Sequence, residues 1–189
     1  IKDSKISAIS CMNKFTDTVI AYLCAQIDAG AQALQLFDSW VGYVAPRDYV
    51  RSVLPYSKRV LDEVKAYGDK KVAGGVPLIH FANGATSMLD LVQQAGGDVV
   101  GIDWRLDMKH AVNIIDERFG IQGNIDPVAL FASDEQIELQ VKEILEAVGT
   151  RPGHIFNLGH GIHKTTNPDK ARHFIEMVKK HSSIIRSGN

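Results

Sequence analysis

This sequence predicts an α/β fold: an incomplete (β/α)8 TIM barrel carrying the last five strand–helix units, with residues 1–189 as a single domain. Two observations predict it. Five short apolar runs stop at polar or glycine-rich turns: Phe37-Asp38-Ser39, His80-Phe81-Ala82-Asn83-Gly84, Ile102-Asp103-Trp104, Gly123-Asn124-Ile125-Asp126 and Asn157-Leu158-Gly159-His160-Gly161. A helical pattern then follows every run. Such alternation implies parallel strands with their chemistry at the carboxyl ends, and a closed barrel needs eight units. Pattern alone also leaves an open sheet available, although no Gly-x-Gly-x-x-Gly marks a dinucleotide switch point.

The elements follow in order. Phe15, Val19, Leu23 and Ile27 recur at helical spacing between Asn13 and Ala29, and Gly30 offers a stop. A strand runs from Ala33 to Phe37. Pro46 suits a first helical turn, and Pro55 breaks the segment before a second helix through Val60, Leu61 and Val64. Pro77 to Phe81 is a strand, Met88, Leu89 and Val92 mark its helix, and Gly96-Gly97 ends it. Val99 to Ile102 is the third strand, followed by a helix carrying Met108, Val112 and Ile115; Ile121 to Gly123 is the fourth strand. Ser133 with Gln136 forms a capping-box signature, and Ile137, Val141, Ile144, Leu145 and Val148 trace one face of a long helix. His154 to Asn157 is the last strand, and Asn167-Pro168 opens a closing helix through Phe174, Ile175 and Val178.

Composition bounds the function. The formal net charge of -1 supplies no global field for nucleic acid or an anionic membrane. No apolar stretch approaches the roughly 20 residues of a membrane span. The first residue is Ile1, with no basic and apolar leader after it, so the amino end reads as processed or truncated. Cys11 and Cys24 belong to no Cys-x-x-Cys or Cys/His cluster and read as buried, reduced thiols in a cytosol-like compartment.

His160 is the sharpest chemical candidate, because it lies between Gly159 and Gly161 just beyond a strand end. An imidazole there can donate to a carboxylate, exchange a proton or bind metal; the plainer alternative is a loop histidine satisfied by backbone. His163, beside Lys164, reads as solvated surface. Ser39 can hydrogen-bond a carboxylate and Phe37 can wall an apolar cavity, while the plainer reading of Ser39 is an Asx-type turn with Asp38. No Gly-x-Ser-x-Gly elbow surrounds Ser39, which excludes a nucleophilic serine of that kind. Asp103 and Asp126 read as buried acceptors fixing loops, Trp104 as core, and Asn83-Gly84 as a turn.

Phe37-Asp38-Ser39-Trp40, Gly101-Ile102-Asp103-Trp104-Arg105, Gln122-Gly123-Asn124-Ile125-Asp126-Pro127 and Asn157-Leu158-Gly159-His160-Gly161-Ile162 occur in one order, with Gly30-Ala31-Gln32-Ala33 leading the first strand. Together they resemble the uroporphyrinogen decarboxylase family from the first helix to the last. The resemblance implies a (β/α)8 barrel, a homodimer when full-length, and a cytoplasmic or plastid enzyme of haem and chlorophyll biosynthesis. It implies removal of four acetate carboxyl groups from uroporphyrinogen, giving coproporphyrinogen, without metal or organic cofactor. It places His160 as the catalytic histidine, which also contacts substrate, Ser39 as a substrate-binding serine and Phe37 as a cavity-lining residue.

The same resemblance implies that paired arginines, an aspartate gathering the pyrrole N–H groups and a tyrosine belong to earlier barrel strands, which residues 1 to 30 do not resemble. His163-Lys164-Thr165-Thr166 departs from the Pro-Asp found in many members. Five parallel strands without three more leave open edges, so the isolated polypeptide is expected to be inactive and either poorly soluble or associated. A monomeric, cooperatively melting preparation that decarboxylates uroporphyrinogen would contradict this. Two alternatives differ in class: a corrinoid-dependent zinc methyltransferase of the same superfamily, and a non-catalytic barrel remnant serving as an assembly partner. Stoichiometric zinc would favour the first, and a start codon beside Ile1 the second.

Overall fold

The computed structural model describes residues 2–187. Five strands form one parallel sheet in the order β1-β2-β3-β4-β5: β1 (Leu34–Asp38), β2 (Leu78–Ala82), β3 (Val99–Gly101), β4 (Gly120–Ile125) and β5 (His154–Leu158). Each neighbouring pair is parallel, from Leu34 opposite Leu78 to Ile125 opposite Leu158. Among the described residues, seven α-helices accompany them: α1 (Lys2–Asp28), α2 (Pro46–Ser52), α3 (Leu54–Lys71), α4 (Leu89–Val92), α5 (Met108–Ile114), α6 (Asp134–Val148) and α7 (Pro168–Ser187).

The sheet is curled. Gln122 Nε2 on β4 donates to Gln35 Oε1 on β1 at 3.2 Å. In a flat sheet those strands would lie three spacings apart, on the order of 14 Å. The contact across the concave side therefore selects a barrel segment over an open sheet. These are five consecutive strand–helix units of a (β/α)8 barrel.

Behind the sheet the helices bury three contiguous clusters. Leu23 and Ile27 of α1 meet Val60, Leu61 and Val64 of α3 and the strand residues Leu34 and Leu78. Tyr49, Met88, Val92, Val100, Ile102 and Ile121 form the central cluster. Ile137, Val141 and Leu145 of α6 pack with Phe174 of α7 and Ile125 of β4. Each fully buried aliphatic side chain contributes about 1.5–3 kcal/mol.

The helix ends follow their sequence signals. Pro46 and Pro55 occupy first turns, and the Ser133 hydroxyl accepts from Gln136 N at 3.4 Å. Asp107 caps α5, accepting from Lys109 N at 2.7 Å. Three expectations are corrected. The first helix starts at Lys2 rather than Asn13, because residues 2–12 propagate a helix without an apolar stripe. Phe15 and Ile175 are exposed: no partner element covers those turns among the described residues. Cys11 is exposed and Cys24 only half-buried, so α1 presents rather than hides its thiols. Partial burial, with Asp28 and Glu63 nearby, pushes the Cys24 thiol up.

Helices α6 and α7 also meet through charge. Glu138 accepts from Lys142 Nζ at 3.1 Å, His181 Nε2 at 2.7 Å and Lys180 Nζ at 3.3 Å. Hydrogen bonds from Lys142, then His181 and Lys180, hold its carboxyl at about 2, below the ordinary 4.5. A carboxyl depressed in the folded state stabilises above its unfolded value and loses that contribution as pH falls through the folded one. Glu138→Gln should lower the melting temperature at pH 7, with the difference shrinking from pH 4.5 towards 2. A difference independent of pH would contradict it.

Candidate active site

Strand alternation divides β1 between two jobs. Leu34 and Leu36 pack on the helices, whereas Gln35, Phe37 and then Ser39 line a cavity on the concave face. Asp38 lies between the two cavity residues and points its carboxylate backwards. Ser57 Oγ on α3 donates to Asp38 Oδ2 at 2.9 Å, and His80 Nε2 on β2 lies 2.7 Å from the same oxygen. His80 is fully buried, and its Nδ1 has no hydrogen-bond partner among the described residues. Burial, with Asp38 nearby, pushes the Tyr49 phenol up.

The Asx-type turn is therefore corrected, since the Asp38 carboxylate is committed to Ser57 and His80. The turn is held instead from β2: Asn83 Nδ2 donates to Ser39 O at 3.1 Å, and Gly42 N donates to Asn83 O at 3.0 Å. A Cβ on Gly42 would stand 2.7 Å from Gly84 Cα, so the two loops touch backbone to backbone.

The far side is built on β3, β4 and β5. Asp103 is buried and accepts from Gly84 N and from Arg105 N, the latter at 2.8 Å. Asn124 Nδ2 donates to Asp103 O at 2.9 Å and Leu106 O at 2.6 Å, tying β4 to the same loop. Asp126 caps the turn after β4 by accepting from Val128 N at 2.9 Å. Both aspartates thus fix loops, as expected.

Trp104 is half-buried rather than core. Its ring meets the edge of His160 at 5.5 Å and an interplanar angle of 84°. Gly159 N donates to Ile125 O at 2.8 Å, and a Cβ on Gly159 would fall 2.8 Å from Trp104 Cα. The small residue before His160 accommodates the Trp104 backbone, whereas Gly161 has open space around it.

Phe37 and Ser39, with His160 more than a hundred residues further on, line one cavity of about 550 Å³. Phe37 also meets Phe81 edge to face at 5.9 Å. The Ser39 hydroxyl and the His160 ring nitrogens hydrogen-bond no protein group among the described residues, which leaves them open to a ligand. The remaining polar wall consists of amides: Gln35, Asn83, Gln122 and Asn157. No carboxylate lines the cavity among the described residues, so an anion meets no direct repulsion there. Sequence reasoning read Asn83 as a turn residue and gave none of these amides a place on the cavity wall. Their signal was a polar residue inside an apolar strand, as in Leu34-Gln35-Leu36 and Ile121-Gln122. His163 is exposed, as expected. A larger hollow, about 680 Å³, lies between α5 and α6 and shares no lining residue with this one.

Among the described residues, no group of three or more His, Cys, Asp or Glu could hold a metal ion, and no helix is long and apolar enough to cross a membrane. Among solved structures, a methyltransferase from Methanosarcina mazei is similar, with a TM-score of 0.72 over 87% of this chain and 47% of its own. At 16% identity that likeness speaks for the barrel fold alone. The chain is 53% identical over 173 residues to a uroporphyrinogen decarboxylase of Carboxydothermus hydrogenoformans, and 50% identical over 169 residues to one of Syntrophotalea carbinolica. These matches take in 92% and 89% of this chain, and the chain spans about half the length of either relative, 47%. The family model described as Uroporphyrinogen decarboxylase (URO-D) matches residues 3–181, which include all five strand ends, and the chain belongs to that family.

Proposed function

We propose that the full-length protein removes the four acetate carboxyl groups of uroporphyrinogen to give coproporphyrinogen, in haem or chlorophyll biosynthesis. The observation that carries this reading is the meeting of Phe37, Ser39 and His160 at one carboxylate-free cavity in a chain of this family. The reaction runs without metal or organic cofactor. Protonating a pyrrole carbon makes the ring a cationic electron sink, so an acetate arm loses carbon dioxide and leaves an exocyclic methylene; a second proton makes this methyl and the pyrrole carbon releases the first, so each arm consumes one proton net. His160 hydrogen-bonds a side-chain carboxylate or delivers a proton, Ser39 holds another carboxylate, and Phe37 walls the ring. The stabilising aspartate and paired arginines come from the remaining barrel units. Residues 1–189 form part of a single-domain barrel, which acts as a homodimer in the cytoplasm or plastid; family precedent supports these features.

The test is product analysis with the full-length protein, its His160→Ala variant and its Ser39→Ala variant. Loss of a proton-transfer group lowers kcat/KM by about 10²-fold or more. Loss of one hydrogen bond to a charged group lowers it by roughly tenfold or more. Unchanged kinetics in both variants would return the two residues to structural roles.

A further inference from the structure

The geometry points to Arg105 as a carboxylate-binding residue at the mouth of this cavity, an assignment that rests on reading the ligand as a polycarboxylate. The guanidinium reaches the Ser39 and His160 loops through one neighbour each, Asn83 and Trp104. Its Cζ lies 3.9 Å above the Trp104 ring, which meets His160 in a T-shaped contact. On the other side, Arg105 Nη1 donates to Asn83 Oδ1 at 3.3 Å; Asn83 lines the cavity and holds the Ser39 carbonyl. Nη1 also lies 3.2 Å from the buried Asp103 carboxylate. One nitrogen thus carries every polar contact of the head group among the described residues, and the side chain remains 47% exposed.

A guanidinium has five N–H donors in a rigid plane. Stacking on Trp104 fixes that plane, and the donors on Nη2 and Nε are left free. A planar cation with a free fork matches a carboxylate, and its restraint before binding lowers the ordering cost. Asp103 leaves room for an incoming carboxylate, since its side chain is 1% exposed, already accepts from two backbone N–H groups and meets the guanidinium at Nη1.

The experiment is a fluorescence titration of the full-length protein with uroporphyrin, which carries eight carboxylates, and coproporphyrin, which carries four. Arg105→Gln and Arg105→Lys are compared with wild type. Arg105→Gln should weaken uroporphyrin binding by about tenfold, the worth of one charge-assisted hydrogen bond. Coproporphyrin, lacking the acetate arms, should lose less. Arg105→Lys, which keeps the charge without the fork, should recover part of the loss. In turnover of uroporphyrinogen, KM should rise while kcat stays within about threefold, as for an interaction made equally in ground and transition states. Equal losses for both porphyrins unrelieved by lysine would signify a disrupted loop and overturn the assignment. Unchanged binding in Arg105→Gln would overturn it alone, whereas a wild type that binds neither porphyrin would overturn the polycarboxylate reading with it.

Discussion

Gly159→Ala in the full-length protein is expected to lower kcat/KM by about a hundredfold, the scale for shifting a reacting group by roughly 1 Å. The added methyl has nowhere to go. It would meet Trp104 N and Trp104 Cα, and neither backbone atom can rotate aside as a side-chain tip would. Trp104 is itself pinned, because Asn124 grips the carbonyl before it and Asp103 grips the amide after it. The strand-end loop must therefore rise, carrying His160 away from its edge contact with Trp104. Overpacking of this kind also destabilises by about 1–3 kcal/mol. Gly161→Ala is the matched comparison: its methyl enters open space, and stability should change by less than about 0.5 kcal/mol. Assays of turnover and denaturant midpoints on both variants separate the two positions. Equal stabilities would show that the Gly159 contact yields without strain.

The second large effect lies at the opposite end of the strands. Arg151, in the loop before β5, donates Nη1 to Val112 O and Ile115 O at 3.0 Å each. It donates Nη2 to Asp116 O at 2.7 Å and Phe119 O at 3.1 Å. These carbonyls belong to the end of α5 and the turn into β4, where a helix leaves acceptors without partners. Arg151→Ala would strand several of them at once and should cost on the order of 3 kcal/mol. Arg151→Lys should fall between, because an ammonium cannot span four acceptors with a planar fork. Denaturant unfolding of the full-length protein measures this, with kcat unaltered at temperatures where both proteins are folded. That face of a barrel serves stability rather than chemistry, and the variant tests this split directly. A cost below about 1 kcal/mol would show that water replaces the guanidinium.

Much of this architecture is legible in the sequence because periodicity reports which face of an element is buried. Val60, Leu61 and Val64, and again Ile137, Val141 and Leu145, fall on the predicted inner stripes. Turn chemistry likewise places Pro46, Pro55 and Ser133 where the helices begin. Strand-end position accounts for Phe37, Ser39 and His160 sharing one rim, but it was the family resemblance that singled out Phe37 and Ser39.

Periodicity does not name the partner across a gap, which is why the rest was hidden. Arg151 and the carbonyls it serves are more than thirty residues apart, and backbone acceptors carry no sequence signature. His80 looks like an ordinary strand residue until the curl brings Asp38 beside it. The Gln35–Gln122 contact, which settles barrel against open sheet, spans 87 positions. Phe15 and Ile175 have the right spacing for a core that no described element supplies.

The backward anchor of Asp38 means that the wall of the pocket is tensioned from outside. Phe37 and Ser39 touch the interior, yet the residue joining them is moored to Ser57 and His80 outside the cavity wall. His80 is wholly enclosed, while the Asp38 side chain keeps 20% of its surface exposed, so the mooring closes from the His80 side. Changes at these two hidden posts would be felt as altered stiffness at the reacting surface, so distance from the ligand is a poor guide to which side chains govern it.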